Sequence, residues 1–450
     1  MLQRISFYKI FPCLCTTVRF GHICRFSSSQ SKDENNASES ADIKETLKDN
    51  FEAACSTEKV SRLLKESAIY KDANDNNWAT TPYPKDAPIN EIEGTRPPVD
   101  PENTSVLLFP GQGIIKVGMA KKYMHFPAAK ELFEIANEIL NYDLLKLCLS
   151  GPQEKLNRTE FNQAATVVAS LAALEKLREE RPKVFDTCVA TAGYSVGEIT
   201  ALILSGAITF EDGVRLVCVR GKAMQYASDR VSQGMMSVLC TPETKVSKAC
   251  NDAEKWAMDM GVENPICRVA VFLHTQRKIL AGNIEALEYI QNHKNEHCFS
   301  NINRLPVSGA FHTPLMEPAL NSIRKILNSI EVNDPRCHVY SNYKATPYSN
   351  LRVMKKYILK QIVSPVKWEQ CMQKIYSRPP GVQFPKTFDI GSEGRMKTIL
   401  KLINIKANSV LSNGEYTIFL NLLVLWLITV LPYIPERVTL HLHCKLHNIL

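Results

Sequence analysis

An α/β fold of two lobes is the architecture this sequence predicts: a hydrolase-like large lobe on a mostly parallel sheet, with a ferredoxin-like small lobe inserted into it. Three observations carry that expectation. Short apolar runs alternate with helical periodicity from Ser105 to Arg220 and again from Met316 to Ile390, the rhythm of parallel strands joined by crossover helices. Residues 234–304 break the rhythm with a β-α-β-β-α-β succession. Between a strand-like and a helix-like run stands Gly193-Tyr194-Ser195-Val196-Gly197, a G-x-S-x-G sequence. Its glycines permit a tight, strained turn that lifts the Ser195 hydroxyl clear of the backbone.

The large lobe opens with Ser105 to Phe109, a short apolar strand running straight into Pro110-Gly111-Gln112-Gly113. This loop can approach a ligand closely, but it is no dinucleotide fingerprint, because Lys116 stands where the third glycine belongs. Helices are expected over Ala128 to Leu149 and Gln163 to Arg178, followed by a buried strand, Cys188 to Ala192, that delivers the elbow. A helix then runs from Ile199 to Leu204 and stops at Gly206. Thr209 caps the next helix, with Asp212 three positions on; Val214, Val217, Cys218 and Gly221 share one side of it and Arg220 lies near its middle.

In the small lobe, strands are expected over Met235 to Leu239, Cys267 to Leu273, Lys278 to Ala281 and Asn303 to Val307, with helices over Glu243 to Met260 and Ile284 to His293. The large lobe then resumes with a helix from Met316 to Ile330, a strand at His338 to Ser341, helices either side of Pro365, and a strand from Thr387 to Ile390.

The chain has 450 residues, 45% of them hydrophobic, enough for a sizeable core and more than one folding unit. Its net charge of +8 owes five units to Arg4, Lys9, Arg19, Arg25 and Lys32, which precede the first acid, Asp33. The remainder, about +3, gives no electrostatic case for nucleic-acid binding. That acid-free, serine-ending leader has the composition of a mitochondrial transit peptide; a secretory signal is the alternative, since Ile10 to Val18 is apolar. Fourteen cysteines without a C-x-x-C pair fit a reducing compartment and argue against zinc.

The expected organisation is a transit peptide over 1–30, a polar, proline-containing linker over 31–103, the large lobe in two parts over 104–233 and 305–410, the small lobe over 234–304, and an apolar tail over 411–450. Within that tail, 417–434 is an uncharged run of eighteen residues, at the lower edge for a membrane span; an atypical chain end is favoured over membrane contact or a docked helix. His441, His443, Cys444 and His447 are read as chance neighbours, so no metal is expected.

A histidine marks the re-entry into the large lobe, in Pro306-Val307-Ser308-Gly309-Ala310-Phe311-His312-Thr313-Pro314. Serine hydrolases of the α/β type order their residues serine, acid, histidine, yet no acid here is obviously placed to orient His312. The strings F-P-G-Q-G (109–113), G-Y-S-V-G-E (193–198), V-R-G-K-A-M (219–224), S-G-A-F-H-T-P-L-M (308–316) and Q-I-V-S-P-V-K-W (361–368) together resemble the malonyl-CoA:acyl carrier protein transacylases, over about Ser105 to Ala407. The leader and Tyr194, which stands where the bacterial pattern has histidine, are more similar to the mitochondrial branch. Gly391-Ser392-Glu393-Gly394 departs from the family's usual glycine-proline-glycine.

The resemblance implies a role for each matching residue. Ser195 is the nucleophile and a neutral His312 its base, since a free serine is too weakly acidic to attack at neutral pH. A main-chain carbonyl near Gln361 replaces the acid that orients histidine, and backbone amides of Gln112 and Val196 form the oxyanion hole. Arg220 grips the malonyl carboxylate by a two-pronged contact, and Phe311 crowds branched acyl groups. Malonyl-CoA and acyl carrier protein are the implied partners, with ping-pong transfer in the mitochondrial matrix that supplies fatty acid synthesis, by a monomer that needs no cofactor. Lys222, Lys356, Lys360 and Lys367 are candidates for steering the acidic carrier. A serine hydrolase releasing malonate to water, and a relative without catalysis, are the competing readings.

Overall fold

The computed structural model describes residues 104–378 and 382–409. The expected transit peptide, the linker and the whole of the apolar tail, with its run at 417–434 and its histidines, lie outside the described residues. Within them no helix is long and apolar enough to cross a membrane, and no cluster of side chains suits a metal.

The large lobe is built on four parallel strands in the order β7-β2-β1-β8. These are β1 (Ser105–Phe109), β2 (Cys188–Gly193), β7 (His338–Val339) and β8 (Lys386–Asp389). β1 is buried along its whole length, as a central parallel strand covered on both faces must be. Its register sets Phe109 beside Gly193, so the Gln112 loop and the Ser195 elbow leave the sheet side by side. This is the carboxyl edge, where open α/β sheets place their ligands.

The longer helices before the elbow are α1 (Pro127–Leu140), α2 (Leu144–Ser150) and α3 (Thr159–Glu180). The expected helix over Ala128 to Leu149 is two helices. Asn141 takes the left-handed conformation (φ 59°) that ends α1, and the Asp143 side chain accepts from the Lys146 amide to start α2. α3 starts earlier than its apolar pattern, at Thr159, and buries even Asn162 and Gln163. α4 (Gly197–Leu204) follows the elbow, and α5 (Phe210–Ser228) is capped by Thr209 through the Asp212 amide, as its sequence indicates.

The small lobe comprises β3 (Gln233–Cys240), α6 (Val246–Asp259), β4 (Cys267–His274), β5 (Arg277–Asn283), α7 (Ile284–Asn292) and β6 (Phe299–Arg304). Its antiparallel sheet has the order β4-β5-β3-β6. Numbered within the lobe that is 2-3-1-4, the order of a ferredoxin-like unit. The closing strand begins four residues before the expected start at Asn303: Phe299 is its buried anchor opposite Cys240, and past its end at Arg304 the Leu305 amide still donates to Met235 O at 3.0 Å.

A separate apolar core fills this lobe, formed by Met236, Val238, Ala253, Leu280, Leu287 and Phe299 among others. The lobes are stitched together where Val366 pairs with Val271 of β4, its amide donating to Ala270 O at 2.9 Å.

Back in the large lobe, Pro314–Ala319 forms a 3-10 turn, and the α-helix α8 (Leu320–Ser329) begins only past Pro318. β7 is two residues long rather than the four expected, because the chain turns at Ser341 and Asn342 into the site. α9 (Leu351–Ile362) and α10 (Trp368–Ile375) flank Pro365 as expected, and α11 (Arg395–Ile403) follows β8.

Candidate active site

The elbow is held by close packing that only glycine allows. A Cβ on Gly193 would lie 1.8 Å from the Gly197 carbonyl oxygen, so the chain before the serine touches the helix after it. Ser195 sits at φ 54°, a left-handed conformation costly for a residue with a Cβ. What holds it there is Asn342, whose Oδ1 accepts from the Ser195 amide at 2.7 Å while its Nδ2 donates to Gly193 O at 2.8 Å. One side chain thus clamps both sides of the turn.

His312 also has a positive φ, 65°. Its Nε2 lies 2.8 Å from Ser195 Oγ and its Nδ1 lies 2.7 Å from the main-chain oxygen of Gln361. A carbonyl oxygen can only accept, so Nδ1 carries the ring proton and Nε2 is left to take the serine's. Burial, reinforced by the nearby Arg220 cation, pushes the imidazole's pKa down to about 3, which keeps the ring neutral.

Arg220 projects from α5 and is buried. Its Nη1 donates to Gln163 Oε1 at 2.6 Å; its Nη2 donates to Gln361 Oε1 at 2.9 Å and reaches Ser195 Oγ at 3.3 Å. Its Nε has no hydrogen-bond partner among the described residues. Burial lowers the guanidinium's pKa to about 10, with Glu198 opposing the fall, so the group is still a cation at neutral pH.

The loop carrying Gln112 packs on the elbow. A Cβ on Gly111 would lie 2.4 Å from the Tyr194 ring and 2.7 Å from the Tyr194 carbonyl oxygen. α3 fixes the loop from below: Gln112 Nε2 donates to Thr159 Oγ1 at 3.1 Å, and the Gly113 amide to Asn162 Oδ1 at 3.1 Å. Neither the Gln112 nor the Val196 amide hydrogen is taken by an acceptor among the described residues. Two donors near the Ser195 hydroxyl are thereby left unspent, which is what an oxyanion hole would require. Phe311 is buried next to His312, with its ring against Gly309.

Ser195, His312, Arg220 and Gln361 are therefore brought together by direct contacts, although they stand on four separated stretches of chain. Sequence reasoning missed Asn342, Gln163 and the use of Glu198. Glu198 is fully buried under the elbow; it accepts from the Asn342 amide at 3.0 Å, from Gln361 Nε2 at 2.7 Å and from the Tyr348 hydroxyl. Burial raises its pKa to about 7 against the pull of those donors. Nothing local in Ser341-Asn342-Tyr343 marks its asparagine, whereas Glu198 stood inside the quoted motif without a task. Lys222, Lys356 and Lys360 are exposed, while Lys367 is half-buried.

The geometry is that of acyl transfer, and the comparisons agree with it. Residues 106–383 match the acyl transferase domain family. The chain is 49% identical over 312 residues to the Drosophila melanogaster protein named "Probable malonyl-CoA-acyl carrier protein transacylase, mitochondrial", covering 69% of this chain and 82% of that one. The solved malonyl CoA-acyl carrier protein transacylase of Clostridium perfringens superposes with a TM-score of 0.62 at 30% identity, over 74% of this chain and all of that one (100%). A malonyl-transacylase solved in complex with a type II polyketide acyl carrier protein gives 0.61 at 27% identity, over 69% and 95%. The chain belongs to the malonyl-CoA:acyl carrier protein transacylase family.

Proposed function

We propose that Ser195 takes the malonyl group from malonyl-CoA and passes it to the phosphopantetheine thiol of an acyl carrier protein, in a ping-pong reaction that supplies mitochondrial fatty acid synthesis. Ser195 Oγ attacks the thioester carbonyl while its proton passes to His312 Nε2. The carbonyl oxygen, now negative, turns to the Gln112 and Val196 amides. Collapse expels the coenzyme A sulfur, which leaves with the proton from His312. The carrier thiol then enters, gives its proton to the same nitrogen and reverses the sequence, so His312 ends as it began.

The observation that carries this reading is the buried Arg220, 3.3 Å from Ser195 Oγ through Nη2 and with its Nε unpartnered among the described residues. A cation with a spare donor beside the nucleophile suits an acyl group that ends in a carboxylate, and gives a neutral acyl chain no partner. Phe311, packed beside the base, narrows the space next to the acyl α-carbon. Gln361 holds Arg220 with its side chain and His312 with its backbone.

The leader composition and the mitochondrial names of the relatives support action in the matrix, after removal of residues 1–30, with 31–103 as a linker and 104–410 as the working unit. The working form is a monomer. Incubation with malonyl-CoA, with and without holo carrier protein, tests the function. Malonyl on the carrier is the expected product; free malonate as the main product in both tubes contradicts transfer and supports hydrolysis.

A further inference from the structure

The Ser195–His312 pair has no carboxylate of its own, yet one lies a single side chain away. Gln361 faces the site with three groups: its main-chain oxygen orients His312, its Oε1 holds Arg220, and its Nε2 donates to Ser195 O at 3.0 Å and to Glu198 Oε2 at 2.7 Å. The same carboxylate oxygen accepts from the amide of Asn342, the residue that clamps the elbow, and the other accepts from Tyr348. Glu198 is thus joined directly to the residue orienting the base and to the residue constraining the nucleophile.

We propose that Glu198 is the positioning residue of this pair, acting through the Gln361 side chain to fix the main-chain oxygen that holds His312. The inference rests on the acyl-transfer reading for its assay, and on the hydrogen bonds for its argument. An α-helix end such as Gln361 would otherwise be free to rotate its carbonyl, since the last carbonyls of a helix have no partner within it. Anchoring the side-chain amide on the buried Glu198 carboxyl oxygen removes that freedom, and a buried donor left without its acceptor is costly. Glu198, three residues past the serine and below the elbow, keeps the serine, acid, histidine order of α/β hydrolases, but it meets the base through Gln361 and not directly.

Three variants of the full chain separate positioning from bulk stability. Glu198→Gln can keep every hydrogen bond, because its oxygen accepts from Gln361 and Asn342 while its amide donates to Tyr348, whose hydroxyl turns to accept. Glu198→Leu keeps the approximate volume and leaves those donors unpaired. Leu327→Ala, a core truncation on α8 outside the network, supplies a matched loss of stability.

Two rates are read per folded molecule: single-turnover malonylation of Ser195 from malonyl-CoA, and labelling of Ser195 by an alkyl fluorophosphonate, which needs the pair but not malonate recognition. Glu198→Leu should slow both by about tenfold or more, the scale on which small misplacements of a catalytic group are felt. Glu198→Gln should stay within about threefold of the parent, and Leu327→Ala should match the parent in both rates. Parent-like labelling by folded Glu198→Leu overturns the proposal, as does Glu198→Gln falling as far as Glu198→Leu. A parent protein that labels normally yet takes no malonyl group contradicts the acyl-transfer reading instead, and leaves the comparison of labelling rates intact.

Discussion

His312 leans on a carbonyl: its Nδ1–H donates to the main-chain oxygen of Gln361 at 2.7 Å, where a serine hydrolase would offer a carboxylate. A neutral acceptor fixes the tautomer as well as an acid would, but lends the ring no negative charge. With burial and Arg220 both opposing protonation, the imidazole titrates near 3 instead of 6.5.

The first prediction follows from that depression. Ser195 reactivity towards a fluorophosphonate should lose its acid side far below pH 6.5, because His312 is still neutral there. A half-loss centred on 6.5 would mean that the ring is solvated and free of Arg220. The same shift has a stability counterpart. The unfolded chain protonates this histidine below about 6.5 and the folded one only near 3, so its contribution is complete above 6.5 and is lost as pH falls through that window. Replacing His312 by Phe should flatten the acid limb of a stability–pH profile.

Arg220 supplies the second. Arg220→Ala should lower kcat/KM for malonyl-CoA by about 10- to 100-fold, the value of one charged hydrogen bond in a buried site, while hardly affecting acetyl-CoA. Arg220→Lys should recover little, because an ammonium cannot span Gln163, Gln361 and a carboxylate together. Equal losses with both thioesters would show that Arg220 supports the serine and does not select the acyl group.

Asn342 gives a third, read in stability. Asn342→Ala leaves the Ser195 amide and the Gly193 carbonyl unpaired in a buried turn, at a cost of about 1–3 kcal/mol per group. Urea denaturation should show a drop of that order, with the m-value unchanged. An unaltered midpoint would mean that the elbow holds its own conformation.

Glu198 gives a fourth. Its folded pKa of about 7 exceeds the ordinary 4.5, so the folded chain holds the extra proton and stability declines as pH rises between those values. Glu198→Gln carries no such titration. Its melting temperature relative to the parent should therefore climb from pH 5 to pH 8, and a constant difference would place the Glu198 carboxyl at an ordinary pKa.

What the sequence discloses is what chemistry writes locally. Gly193 and Gly197 around Ser195, the apolar β1 and β2, and the β-α-β-β-α-β succession of 234–304 are each visible within a few residues, and each is present in the fold, with the closing strand moved forward to Phe299. The split at Asn141 was also written locally, as an asparagine followed two residues later by a capping aspartate, but the amphipathic pattern running through it is the stronger signal. The support beneath the site is different in kind. Asn342 lies 147 residues from the Ser195 amide it binds, and Gln163 lies 57 residues from Arg220. Polar side chains that meet only after folding leave no spacing to read. Glu198 shows the limit most clearly: at the start of a helix, a glutamate is read as a favourable charge near the dipole, and only the fold shows that three donors converge on it.

The central claim is that Ser195 carries the malonyl group between two thiols, and intact-mass analysis tests it most directly. After brief exposure to malonyl-CoA the protein should gain one malonyl group, mapped to Ser195, absent in Ser195→Ala and discharged onto holo carrier protein when that is added. An adduct that persists in Ser195→Ala, or one that the carrier never removes, would contradict the account.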